Sequence, residues 1–201
     1  NPDLGWRDVQ HILVNSSRKV DIFSDGWQTN AAGHLFNHDY GFGRVNADAA
    51  VKLSKEWTNV EPEVSFSNAE SPDQDIPEMG EGSLTRTITV AQDIKIESIE
   101  IPFITDHTHA GDLNITLTSP AGTTAIIAES RHDTTNGINF VFSARTFWDE
   151  SSQGDWILEV TDNAIEDTGK LNSWGVNIFG TPGPNYDESI NQSSAINYDA
   201  L

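Results

Sequence analysis

Two histidines one residue apart, His107 and His109, sit among the acids with the densest chemical potential in this chain. On a strand, residues i and i+2 share a face, so an HxH pair there can chelate a transition ion. In a loop ahead of the Gly111–Asp112–Leu113 turn, His107 hydrogen-bonds to backbone instead. The loop reading is preferred, because the spacing marks no third ligand. Oxygen ligands are more plentiful. Asp106 and Asp112 precede the apolar run at 113–117, and Asp162, Asn163, Glu166 and Asp167 follow the run at 156–160. If those runs are antiparallel neighbours, both loops lie at one end of a sheet. Asp106, Asp112, Asp162 and Asp167 then converge as ligands for calcium, which takes about six to eight oxygens. Asp149, with Asp133 and Glu150, is expected to form a second cluster at the opposite end. The competing role for Asp112, Asp149 and Asp162 is to accept backbone N–H bonds in turns.

Covalent catalysis has no such support. A nucleophilic serine needs a histidine base oriented by an acid. No GxSxG elbow marks one here. Asp167–Thr168–Gly169 matches the short motif of aspartic proteases, but those need two such carboxylates sharing a proton, and the string occurs once in polar text. It reads as a turn. His34 and His38 lie in a Gly-rich loop and are less specific still. The absence of cysteine excludes disulfides, thiol nucleophiles and thiolate zinc sites. Nothing matches a phosphate-cradling loop. Of the tryptophans, Trp156 and Trp174 are in phase with apolar strand neighbours and read as core, whereas Trp148 is the best candidate for exposure and for stacking on a sugar.

The elements that must hold these groups change character along the chain. Residues 1–57 read as helical at both ends. Leu4, Val9, Ile12 and Leu13 share one face behind Asp3 as N-cap, and Ala47, Ala50, Val51 and Ser54 share another behind Asn46 or Asp48. Between them, 24–43 reads as turns with aromatic anchors. Residues 58–82, rich in Pro and acids, read as a linker with a short strand at Val64–Phe66. From 83 to 181 short alternating runs separated by turn residues predict an antiparallel β-sandwich, jelly-roll-like because few connections look like simple hairpins. Ile94 and Ile96 alternate in one phase and Ile99, Ile101 and Phe103 in the other, which predicts a bulge near Ser98. The segment 83–181 is expected to fold alone and 1–57 is not. Residues 182–201, in which Asn185–Tyr186–Asp187 recurs as Asn197–Tyr198–Asp199, read as a tail.

With 11 basic and 31 acidic residues the formal net charge is −20, which repels nucleic acid and anionic membrane surfaces and attracts cations. No apolar run approaches membrane-spanning length.

Two stretches carry a family resemblance. NPDLGWRDVQHIL (1–13), with Trp27, Asn30, Gly33 and HDYGFGRVNADAAVKLSKEW (38–57), resembles the last part of the catalytic domain of kexin/furin-like proprotein convertases, a branch of the subtilisin-type serine proteases. HTHAGDLNITLTSPAGT (107–123), the FWDE step (147–150) and GDWILEVTDNAIEDTGKLNSWGVNIFGT (154–181) resemble the P, or homo B, domain that follows it. The family's order is kept. His109–Ala110 departs from the aromatic and basic pair that many members carry before the GDL turn, and the lack of Cys resembles bacterial members more than animal ones. The resemblance implies that this chain begins after the helix bearing the catalytic serine. No GTSxA string is present. The chain alone would then be non-catalytic, and its parent a secreted serine endopeptidase cleaving after basic residues. The implied partner is the catalytic domain on which the P domain packs. The alternative role is a module recruiting protein or glycan substrate.

Overall fold

The computed structural model describes residues 1–190. The second Asn-Tyr-Asp of the tail lies outside the described residues. Residues 1–57 supply helix α1 (Trp6–Ser16), the two-stranded hairpin β1 (Trp27–Thr29) and β2 (Leu35–Asn37), and helix α2 (Ala47–Ser54). The hairpin was not legible as strands, because its three-residue arms are too short to show alternation.

The N-cap of α1 is Gly5, not Asp3: the Asp8 carboxylate reaches back to accept the Gly5 N–H at 2.7 Å. The buried face of α1 is also more polar than expected. It presents Asp8, His11, Ile12 and Ser16, while Val9 is exposed. In α2 the cap is Asn46, whose Oδ1 accepts the Ala49 N–H. No α2 side chain is buried, and Val51 faces solvent.

The sandwich has two antiparallel sheets. One holds β3 (Val64–Glu70), β11 (Lys170–Pro182), β6 (Ile94–Thr105) and β9 (Ile138–Ala144) in that order, with β4 (Gln74–Asp75) also paired to β11. The other runs β5 (Leu84–Val90), β10 (Gly154–Asp162), β7 (Leu113–Thr118), β8 (Thr124–Ala128). Successive strands mostly switch sheets, and β7–β8 is the main hairpin, which makes the architecture jelly-roll-like. Residues 64–70, expected as a short strand within a linker, form a full strand across from β11. The period-2 patterns place Leu113, Ile115 and Leu117 of β7 and Trp156, Leu158 and Val160 of β10 inside. Trp174 and Phe103 fill the facing layer.

The phase change in β6 is a bulge. Phe179 pairs with Ser98 and Gly180 with Ile96, so Glu97 is the extra residue. A Cβ on Gly180 would collide with the Lys95 carbonyl, so glycine permits the close approach of the two backbones at the bulge. The bulge turns Glu97 away from the ladder and buries it.

Antiparallel pairing fixes two ends. At the near end β6, β10 and β3 begin and β9 and β11 finish; at the far end β7, β9 and β11 begin and β6 and β10 finish.

Candidate functional site

The near end is where residues 1–57 meet the sandwich. Arg7 grips Glu97 with two charge-assisted hydrogen bonds, Nε to Oε2 at 2.7 Å and Nη2 to Oε1 at 2.6 Å. His11 Nε2 lies 2.8 Å from the same Oε1. Burial opposes ionisation of Glu97, but the His11 and Arg7 bonds prevail and hold its carboxyl below the ordinary carboxylate range. Asp8 fastens the next segment. It accepts the Val60 N–H at 2.7 Å and the Trp57 indole N–H at 3.0 Å. Burial works against its charge as well, yet these donors and Gly5 keep the group acidic.

The hairpin docks through main chain and amide. Asn30 Nδ2 donates to the carbonyls of Thr146 (2.9 Å) and Trp148 (2.8 Å). The Ala31 N–H reaches Glu150 Oε1 at 2.9 Å and Thr123 Oγ1 at 3.1 Å. His34 Nε2 lies 2.8 Å from Asp149 Oδ2, and Lys95 Nζ lies 3.5 Å from Oδ1. Burial again opposes the charge of Asp149, and His34 with Lys95 outweighs it. Trp148, expected at the surface, is buried. Its ring meets His11 edge-on at 4.8 Å and Phe42 at 5.9 Å, so it is a packing element of the seam and not a sugar platform.

The far end gathers the HxH pair and most of the expected calcium ligands. His107 is fully buried, with Nδ1 2.9 Å from the His109 carbonyl and Nε2 3.1 Å from Asp162 Oδ2. Asp162 Oδ1 accepts the Ala164 N–H at 3.0 Å. Asp106 accepts the Lys170 N–H at 2.6 Å. His109 Nδ1 meets Asp167 Oδ1 at 2.6 Å, and Thr108 donates to the same oxygen. The Thr108 N–H donates to the Thr168 carbonyl and the Thr168 N–H to the Thr108 hydroxyl, which holds Asp167–Thr168–Gly169 as loop chain against Thr108. Burial raises the Asp167 carboxyl, and Thr108 and His109 more than offset it.

Of the five aspartates expected as ligands, Asp112 and Asp167 come together, with His109 as the third member; their ligand atoms lie within 4.8 Å of one another. Asp106 and Asp162 share this end but serve as turn and imidazole partners. Asp149 is at the near end. The cluster expected from Asp133, Asp149 and Glu150 does not form. Asp133 lies at the far end, where its carbonyl accepts the Gly111 N–H and its carboxylate holds Arg131. Glu150 is occupied by Ser119 and Thr123. Two carboxylates and an imidazole supply fewer oxygens than calcium takes, and this mixed donor set suits a first-row ion as well.

Arg7, His11, Asn30, His34 and Glu97 were missed as functional residues. One signal was present: Glu97 is the acid at the point where the β6 pattern changes phase.

Residues 96–178, from the β6 bulge to β11, match the proprotein convertase P-domain family. Those residues belong to the P-domain family, and the wider chain is homologous to the kexin/furin-like proprotein convertases. It is 35% identical over 198 residues to proprotein convertase subtilisin/kexin type 5 of Rattus norvegicus, covering 90% of this chain and 11% of that protein. It is 32% identical over 182 residues to furin of Homo sapiens, covering 87% of this chain and 22% of furin. The chain thus spans only a small part of these relatives. Among solved structures, the serine protease of Aeromonas sobria superposes with a TM-score of 0.80 at 25% identity, over 89% of this chain and 41% of that one. The same protease in complex with its chaperone gives 0.82 at 24% identity, over 90% and 41%.

Proposed function

We propose that this chain is the non-catalytic C-terminal region of a secreted, subtilisin/kexin-like serine endopeptidase, and that its sandwich stabilises the catalytic domain by gripping that domain's last segment. The observation that carries the reading is the Arg7–Glu97–His11 latch, which joins residues 1–57 to a bulge in the sandwich. The exposure of large apolar side chains in 1–57, namely Trp6, Ile22, Phe23, Val45 and Val51, supports it, since such surface suits contact with a further body. Among the described residues no helix is long and apolar enough to cross a membrane.

The test is a double-mutant cycle of Arg7→Ala and Glu97→Ala in the 201-residue chain, with the same substitutions in the full-length protease. A coupling well above about 1 kcal/mol, a shortened thermal half-life and an unchanged KM are expected. Additive effects and an unaltered half-life would refute the reading. The 201-residue chain itself should not cleave peptides after Arg or Lys.

A second reading concerns metal. The approach of Asp112 to Asp167 supports a weak calcium site at the far end, with His109 available if a first-row ion binds instead. Thermal melts with calcium, with zinc and with EDTA separate these cases.

A further inference from the structure

Among the described residues the sandwich has two open sides, and charged side chains bridge only one of them. On the β3/β5 side, Arg86 of β5 bridges to Glu70 of β3 with bonds of 2.8 and 2.7 Å. Charges on sheet edges discourage added strands. On the other side β8 and β9 are the outer strands of their sheets. The seven residues of β9, Ile138–Ala144, include no charged side chain and no proline. Phe140 is 58% exposed although it pairs with the buried Phe103. Phe140 and Phe142 line a groove of about 500 Å³ whose other wall is Ile127 and Ala128 of β8.

The near half of this side is already met by β1 and the turn that follows it, Trp27–Ala31. Gln28 Nε2 donates to the Thr124 carbonyl at 3.4 Å, the Ala31 N–H to Thr123 at 3.1 Å, and Asn30 to the Thr146 carbonyl. The groove continues that interface toward the far end. The cover on the near half is β1 and the turn after it, held through side-chain bonds to β8, to Thr123 just before it and to the chain after β9. The rim carries Glu129 and Asp133, and Arg131, the cation in the groove's lining, is paired with Asp133 at 2.8 Å. The whole chain carries −20, which disfavours an acidic partner and a second copy alike.

We propose that the β8/β9 edge binds an extended peptide strand, with apolar side chains at alternate positions entering the groove and basic residues at its flanks. Main-chain pairing would supply affinity and the groove would select the alternate side chains. The surface is separate from the latch, so the proposal stands or falls independently of the stabilising role.

The probe is the capped peptide Lys-Val-Thr-Phe-Thr-Val-Lys, added to the full chain, with Glu in place of both Lys as the control. Saturable binding is expected, with slowed amide exchange confined to residues 126–128 and 138–142, and with affinity at least about tenfold above the control at low salt. Phe140→Asp should abolish binding and Phe140→Ala should weaken it, both with the melting curve of the parent chain, because this side chain is mostly in solvent. Failure to saturate, protection elsewhere, equal affinity for the acidic control, or unchanged binding by Phe140→Asp each overturns the proposal. So does concentration-dependent self-association that protects the same amides without peptide, which would assign the edge to a second copy.

Discussion

At the near end of the sandwich His11 and His34 meet carboxylates that belong to a distant part of the chain; at the far end His107 and His109 meet carboxylates of the adjacent loop. The groups are the same and the geometry is similar. The difference lies in what each pair spans. Near-end pairs cross between two segments, so losing one separates them. Far-end pairs tie together loops that sheet hydrogen bonds already hold, so losing one loosens a corner. Strand pairing points to the second kind, whose partners lie 55 and 58 residues apart in loops it brings together, and hides the first, whose partners lie 86 and 115 residues apart in segments joined by no sheet.

The largest effect is expected from Glu97→Ala. It leaves Arg7 without its acid in a site where both side chains are mostly buried. Removing one partner of a buried pair costs about 3–5 kcal/mol. Urea unfolding should show this loss, and limited proteolysis near Val60 should release residues 1–57 while the sandwich survives. Unfolding of the whole chain in one step, with no release, would erase the distinction between the ends.

Asp162→Ala is expected to cost less, about 1–3 kcal/mol, since it strands the His107 ring but crosses no segment boundary. Amide exchange should quicken in the 106–112 and 162–169 loops, and residues 1–57 should stay docked. Detachment of 1–57 in this variant would break the comparison.

Acid should sharpen it. Glu97, Asp8 and Asp149 are held below their ordinary values of 4.5, 3.8 and 3.8. Carboxyls depressed on folding contribute stability that is complete above the ordinary values and lost as pH falls through the depressed ones. The near end has these three groups; Asp167, Asp133 and Glu70 of the sandwich are also depressed, but their side chains are more exposed and solvent screens their pairs. On titration below about pH 4.5, residues 1–57 should become protease-sensitive before the sandwich loses its near-ultraviolet circular dichroism. Simultaneous loss would show that the seam is not the acid-labile part.

Calcium should have the smallest effect. At its dissociation constant a single ion adds about 0.4 kcal/mol. Melting after exhaustive EDTA treatment should be slightly lower, restored by calcium in the parent chain and not in Asp167→Asn. Identical curves with and without calcium would leave Asp112 and Asp167 as turn residues only.

The sandwich was legible because β-strands with one buried face write their period into the sequence. Leu113, Ile115 and Leu117, then Trp156, Leu158 and Val160, are inside as their alternation requires. Even the irregularity at Ser98 was visible, since a bulge inverts the phase. The far-end loops were legible in part, because strand pairing puts loop ends together but does not say which carboxylate is taken by a backbone N–H. The seam was not legible. Asn30 and His34 lie in text with no period, and helix α1 buries Asp8 and His11 where a hydrophobic face was expected. Trp148 was misjudged for the same reason: its neighbours His11 and Phe42 come from the other segment.

The bulge has a genetic consequence. With Glu97 struck out, the strand from Ile94 reads Ile-Lys-Ile-Ser-Ile-Glu-Ile-Pro-Phe, an unbroken alternation with Ile94, Ile96, Ile99, Ile101 and Phe103 all in one phase. The latch is therefore one residue, a single codon, beyond what a regular strand needs here. Adding it costs the ladder one regular pair; deleting it would restore the alternation and remove the buried carboxylate that Arg7 and His11 share. Attachment and folding of this domain are thus written in separable letters, and a lineage could gain or shed one without rewriting the other.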